Sequence, residues 1–488
     1  MFRRLSHMVP WTRPTPLLAV VGTTGVGKSQ LAVELAKSLG GQVINADSMQ
    51  VYKGLDIITN KIPLAEREGI EHRLMDFLEV HDEYTVGEFE RDALQVINEN
   101  HEKGRVPIIA GGTNYYVQSL IFRDSLVASA SHAALSDSDT ESEHPELQGT
   151  TAELYARLQE VDPVMANRWH PNDRRKIRRS LEVFLQTGKR HSDIILEQWE
   201  GDFRTSRVRF PTCVFWLYTP PETLNPRLDA RVESMIKTGL FEELRNMRSL
   251  EKSGQARCPG NEQDYTRGIW QAIGYKEFLP YFSALESPPP SFTEEALATL
   301  RDQCISAMKA ATRRYAKRQI TWIRNKLVPM AHLMSSNTPP DTETDHTTNE
   351  DDTDASRDKH LYVYMLDATN LDRWNEEVRD VAVQIARDFL AGQPLPDPRS
   401  LSPLAAQMVQ RKQHHEADTA ARLKSWRKFT CDICTDGEGQ PLVVNGEKEW
   451  NAHRQSRGHW RRVRATKRNE EWQRWKEKMR DSKDKAEN

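Results

Sequence analysis

Residues 22–29 read GTTGVGKS, and Gly22, Thr23, Thr24, Gly25, Val26, Gly27, Lys28 and Ser29 follow the G-x4-G-K-S spacing of a phosphate-binding loop. Glycines let successive backbone N–H groups turn toward one anion, Lys28 adds a charge, and the Ser29 hydroxyl can hold a magnesium ion. None of these contacts needs a nucleobase, so the spacing leaves open which phosphate is held. Farther on, QVINAD ends at Asp47. A carboxylate at the end of a parallel strand faces the ligand crevice, although an Asp there also serves as a helix cap or turn former. Near the other end, Cys431-x2-Cys434 is followed after 18 residues by His453-x5-His459, a set of thiolates and imidazoles suited to tetrahedral zinc. DRRKIRRS places Arg174, Arg175, Lys176, Arg178 and Arg179 around Ile177. On a helix buried through Ile177 and Leu181, those charges would fan toward a phosphate backbone. A second run, Arg313, Arg314, Lys317 and Arg318 near Trp322, fits an RNA contact and a salt-bridged face equally well.

The elements that must position these groups alternate. LLAVV (17–21) is a buried-strand run feeding the loop, and Leu31, Leu35 and Leu39 share one helical face before Gly40 and Gly41 stop it. QVINAD, VPIIAGG, TCVFWLY and HLYVYMLDA read as further strands, so the fold class is α/β with a parallel sheet of the P-loop NTPase kind. A nucleotide-hydrolysing enzyme usually ends another apolar strand on a metal-holding carboxylate. Here VPIIAGG runs instead into Gly111, Gly112 and Thr113.

The catalytic core is expected over 17–123, 205–335 and 359–395. Residues 124–150 and 336–358 turn acidic and aperiodic, the latter with eight acids against Arg357 alone, which predicts two disordered insertions. Residues 151–204 regain helical period as an insertion domain. Residues 411–488 hold 20 Lys and Arg against 13 Asp and Glu in a chain of net charge -3, and are expected as a separate basic module with its finger at 431–459. Five scattered cysteines give no disulfide framework. No apolar run nears the roughly 18–20 residues a bilayer span requires, so no membrane association is expected. The start, MFRRLSHMVPWTRPTP, carries arginines without acids, the bias of a mitochondrial presequence within a flexible stretch, residues 1–16. Initiation at Met8 would remove two of them, which makes mitochondrion and cytoplasm, with the nucleus, the expected compartments.

GTTGVGKS, INADSMQVYKGLDIITNK, PIIAGGTNYY, HPNDRRKIRRSLEVF, AIGYKE and ATRRYAKRQITWIRNK, in this order, resemble the tRNA dimethylallyltransferase (tRNA isopentenyltransferase) family from about Leu17 to Lys326. The resemblance implies transfer of a dimethylallyl group from its diphosphate to N6 of the adenosine just 3′ of a tRNA anticodon; the chain is expected to act as a monomer. It implies Asp47 as base, and Thr24, Lys28, Ser29 with magnesium, and Arg227 with Arg231 on the diphosphate. Those two arginines, four apart, also fit a solvated helix face. Asp47, Ser48, Met49, Gln50 and Thr113 match the segments that read the flipped adenosine, and Arg175, Lys176, Arg178 and Arg179 match a tRNA-contacting helix. Trp450, His453, Ser456 and His459 resemble a matrin- or U1-type finger, found in eukaryotic members, so a eukaryotic source is expected. A P-loop small-molecule kinase and an inactive zinc-finger RNA-binding protein are the competing readings.

Overall fold

The computed structural model describes residues 15–123, 145–200, 208–254, 265, 267–288, 293–335, 361–409, 425–436 and 439–484. The chain divides into two compact units, one of residues 1–126 and 206–413 and one of 127–205 and 414–488.

The first unit is built on β1 Leu17–Gly22, β2 Gln42–Asn45, β3 His72–Arg73, β4 Pro107–Ala110, β5 Thr212–Tyr218 and β6 Leu361–Asp367. All pair in parallel in the order β3-β2-β4-β1-β5-β6. Every residue of LLAVVG and TCVFWLY is buried, as strands covered by helices on both faces require. Leu17, Ala19 and Val21 pack with Phe89 and Ile97 on one face, while Leu18 and Val20 pack with Leu31 and Leu35 on the other. Central β1 lies between β4 and β5, so the phosphate loop and the end of β4 open on one crevice at the carboxyl edge.

The core runs past its expected end at 395. Helix Pro403–Val409 buries Ala405, Met408 and Val409 against the sheet, a short apolar stripe that periodicity alone did not resolve from a linker. Residues 145–150, expected within the first acidic insertion, pack into the helical part of the second unit instead. Leu147 is only 2% exposed, and Thr150 with Glu153 forms a capping box on helix Thr151–Val161. The amino-terminal residues 1–14, the acidic stretch 124–144 and the segment 336–360 lie outside the described residues.

In the second unit, helices Thr151–Val161, Pro163–Arg168, Arg174–Thr187 and His191–Glu200 surround Leu154, Leu158, Met165, Ile177 and Leu181. The carboxyl-terminal module is not separate from them. Its hairpin, β7 Lys428–Thr435 and β8 Pro441–Asn445, sits on the end of the Pro163–Arg168 helix. Lys428 Nζ donates to Ala166 O at 2.8 Å and lies 3.9 Å from the Tyr155 ring centroid. Asn445 Nδ2 donates to Arg168 O at 3.3 Å, and His170 Nε2 is 3.2 Å from Val443 O. The last carbonyls of a helix lack intrahelical donors and favour a cation, so the hairpin supplies what the short helix cannot. Two helices, Glu447–Gln455 and Arg457–Asp484, complete the module.

Candidate active site

β1 turns through the phosphate loop into helix Lys28–Leu39. Gly27 has φ +93°, and a Cβ there would stand 2.6 Å from Cη2 of Trp374, so both backbone and space demand glycine. Trp374 is itself fixed, its Nε1 donating to the Glu34 carboxylate at 3.0 and 3.1 Å. Inside the loop, the Thr23 hydroxyl is buried without a partner, and Lys28 Nζ turns back onto Thr23 O at 2.7 Å. An orphaned buried hydroxyl beside an ammonium held by a loop carbonyl fits an anion in the loop.

Asp47 follows β2 and closes an Asx turn, its Oδ1 accepting from Met49 N at 3.0 Å. The turn-former reading is therefore correct as far as one oxygen goes. Oδ2 lies 3.4 Å from the place a Gly112 Cβ would take, in the crevice. The Gly-Gly-Thr end of β4 makes this approach feasible: a Cβ on Gly111 would stand 2.1 Å from Ala46 O. Thr113 Oγ1 accepts from Ser48 N at 3.0 Å and donates to Ser48 Oγ at 3.2 Å. Thus Asp47, Ser48, Met49 and Thr113 are brought together. Gln50 turns its amide to Thr59 O and Asn60 O at 3.2 and 3.0 Å, bracing the loop beyond them.

The two arginines of helix Pro221–Lys237 separate. Arg231 Nη1 donates to Thr24 Oγ1 at 2.5 Å, beside the phosphate loop. Arg227 does not share that position: Nη1 donates to Ala368 O at 2.8 Å and Nη2 to Thr369 O, so it holds the loop that follows β6 and carries Trp374. A four-residue spacing puts side chains on one face, but long guanidinium stems reach different partners from it. Burial lowers Lys28 to about 8 and Arg231 to about 10, and raises Asp47 against the opposing pull of Met49 N–H and those two cations. The crevice thus holds two desolvated cations and a carboxylate made more basic.

Helix Glu294–Trp322 contributes two residues that the sequence reading missed. Gln319 Oε1 accepts from Thr24 N at 3.0 Å while Nε2 donates to Gly112 O at 2.9 Å, and Tyr315 OH donates to Gly112 O at 3.2 Å. A glutamine in register with the apolar positions Met308, Ala311 and Ala316 was the available signal.

The IPP transferase family model matches residues 50–326. The tRNA dimethylallyltransferase of Schizosaccharomyces pombe is 39% identical over 93% of this chain and 96% of its own length, and that of Saccharomyces cerevisiae 34% over 94% and 95%. A crystal structure described as a eukaryotic dimethylallyltransferase acting on tRNA superposes with a TM-score of 0.68 at 33% identity, covering 95% of this chain and all of that one. The chain belongs to the tRNA dimethylallyltransferase family. Membership removes the kinase reading, and the joint presence of Thr24, Lys28, Ser29 and Asp47 around one crevice speaks against a lapsed catalytic domain.

In this dimethylallyltransferase fold the basic helix is less uniform than its sequence. Arg175 is exposed, and Lys176 pairs with Asp173 at 2.6 Å beside the Trp169 ring. Arg178, its side chain only 13% exposed, and Arg179 share Glu182 at 2.9 and 3.5 Å, so Arg178 is turned to its own helix rather than outward. In the second run, Arg313 pairs with Asp229, whereas Arg314, Lys317 and Arg318 are exposed. The run is therefore a salt-bridged face at Arg313 only, with the other three cations open to solvent.

Ligand atoms of Cys431, Cys434, His453 and His459 lie within 4.8 Å of one another, and this group can hold a metal such as zinc. His459 Nδ1 is 3.7 and 3.5 Å from the two sulfurs, and His453 Nε2 is buried with no protein partner. Ser456 breaks the histidine segment into two helices, its Oγ accepting from His459 N at 3.1 Å, which accounts for the five-residue gap. Among the described residues no helix is long and apolar enough to cross a membrane.

Proposed function

We propose that the chain transfers the dimethylallyl group of dimethylallyl diphosphate to N6 of the adenosine just 3′ of the anticodon in certain tRNAs, releasing diphosphate. The observation that carries this reading is the convergence of Asp47 Oδ2, the Arg231–Thr24 pair and Lys28 on one crevice. An adenine amino group is a weak nucleophile because its lone pair is delocalised into the ring. As the N6–carbon bond forms and the carbon–oxygen bond to diphosphate breaks, the N6 proton passes to Asp47, whose raised pKa suits it to accept. The departing charge meets Lys28, Arg231, the Thr24 hydroxyl and the loop N–H groups, already in place and desolvated. Ser29 would hold magnesium, which would supply positive charge against the departing diphosphate. Unstacking the target base costs less in a loop than in a duplex, and Ser48 and Thr113 have donors and acceptors to read it while Gln50 braces the loop behind them.

The test is mass analysis of nucleosides from unmodified tRNA incubated with the chain, magnesium and dimethylallyl diphosphate. An N6-dimethylallyladenosine peak is expected, and its absence with folded, metal-loaded protein would overturn the reading. Its pH dependence follows from the two shifted groups. Asp47 must be ionised, so kcat/KM rises as pH climbs through its elevated pKa. Lys28 must be charged, so kcat/KM falls again as pH passes about 8. A profile flat from pH 7 to beyond 9 would contradict this assignment.

In the same reading Cys431, Cys434, His453 and His459 hold structural zinc, at donor spacings that Zn–S bonds of about 2.3 Å and Zn–N bonds of about 2.0 Å can close. Zinc then keeps the hairpin that carries Lys428 and Asn445. Chelating it from the full-length chain is expected to raise amide exchange across residues 151–170 and to weaken tRNA binding, while diphosphate binding at the first unit persists. Unchanged exchange would show that zinc does not maintain the hairpin's seat. The compartments remain those proposed from Arg3, Arg4 and Arg13: mitochondrion and cytoplasm, with the nucleus.

A further inference from the structure

Gln319 is 2% exposed and makes no turn or cap. Its amide bridges the phosphate loop after β1 and the end of the neighbouring strand β4. Thr24 N can only donate and Gly112 O can only accept, so the partners themselves fix Oε1 toward Thr24 and Nε2 toward Gly112. Thr24 carries the hydroxyl that Arg231 grips. Gly112 adjoins Asp47 Oδ2 on one side and, through Thr113, the Ser48 backbone on the other. A Cβ on Gly112 would stand 2.6 Å from Gln319 Nε2, so glycine at the end of β4 is what leaves room for the amide. Tyr315, one turn earlier on the same helix, repeats the contact to Gly112 O.

We propose that Gln319 is a positioning residue for the transfer reaction, a buried amide strut from helix Glu294–Trp322 that sets the distance between the leaving-group side at Thr24 and the base side at Asp47. The inference deepens the prenyl-transfer reading and rests on it. Gln319 need not touch either substrate. It holds the two backbone segments that do, in a reaction where donor carbon and acceptor nitrogen must align and where about 1 Å of misplacement costs on the order of 10²-fold. It also takes Thr24 N out of the set of loop donors free for diphosphate. Loss of Gln319 should therefore disturb alignment more than donor affinity.

The test is single-turnover transfer with saturating tRNA and dimethylallyl diphosphate, alongside calorimetric binding of the diphosphate and the thermal midpoint. Gln319→Leu keeps the volume and removes both hydrogen bonds. Its transfer rate is expected to fall on the order of 10- to 100-fold, with donor affinity nearly unchanged. Gln319→Glu can still accept from Thr24 N but offers no donor to Gly112 O and sets a negative charge beside the diphosphate. It is expected to lose transfer rate and, unlike Gln319→Leu, donor affinity too. A Gln319→Leu chain that melts lower yet transfers within twofold of the unaltered rate overturns the proposal, because burial alone then explains the residue. If Gln319→Leu does not fold, an undiminished rate in Gln319→Glu overturns it equally. Product from the unaltered chain, measured in parallel, fixes the reaction class independently, so failure of the strut is distinguishable from failure of the prenyl-transfer reading.

Discussion

Asp47→Ala is expected to stop transfer while dimethylallyl diphosphate still binds. The base contribution to such a reaction is about 10²- to 10⁴-fold, and the fall should appear in kcat. Donor affinity should hold, because Asp47 lies among Lys28 and Arg231 and its removal makes the crevice more positive toward an anion. Asp47→Asn separates the two roles the structure gives this residue. Asparagine keeps an oxygen for Met49 N and so keeps the turn at 47–49, but it cannot take a proton at neutral pH. If the base role is real, both variants lose transfer, and the asparagine variant does so at an undisturbed thermal midpoint. A fully active Asp47→Asn would leave Asp47 with its turn alone and remove it from proton transfer.

The sequence was most legible where one segment carries a whole device. The phosphate loop, the apolar strands and the Cys/His spacing are local patterns, and each stands where its pattern placed it. What stayed illegible depends on partners far away in the chain. Nothing in NPRLDARVESM says that Arg227 will reach the carbonyls of Ala368 and Thr369 while Arg231 reaches Thr24; the two differ through a loop about 140 residues downstream. Gln319 was hidden for the same reason, since a lone amide among helical apolar positions acquires meaning only once Thr24 and Gly112 flank it. The seat of the hairpin on the insertion domain was likewise invisible. Charge counting made residues 411–488 a basic module, yet the lysine that matters for the seat, Lys428, is drawn out of the solvent, its pKa lowered to about 8 by burial against Tyr155 and Ala166. Composition reports net charge, whereas docking depends on which cation meets a helix-end carbonyl.

Arg231 and Arg227, inseparable in sequence, should separate in kinetics. Arg231→Ala removes a desolvated charge and the donor to the Thr24 hydroxyl, both aimed where negative charge develops as diphosphate leaves. Fixed donors of that kind are worth about 10²- to 10³-fold in kcat, and donor affinity should fall as well because the charge also acts on the ground state. Arg227→Ala should leave that charge intact. It frees the carbonyl of Thr369 and leaves that of Ala368 to the Thr219 hydroxyl alone, a loss of roughly 1–3 kcal/mol in stability for hydrogen bonds from a charged donor, and loosens the loop that presses Trp374 on Gly27. The expected signature is a lower thermal midpoint with a modest rise in KM for dimethylallyl diphosphate and kcat largely kept. Lysine at 231 restores charge without the forked geometry, so it should recover donor affinity more than rate. Equal losses of kcat in the two alanine variants would show that Arg227 also reaches the diphosphate when it is bound, and that its grip on the β6 loop is exchanged for the substrate during the reaction.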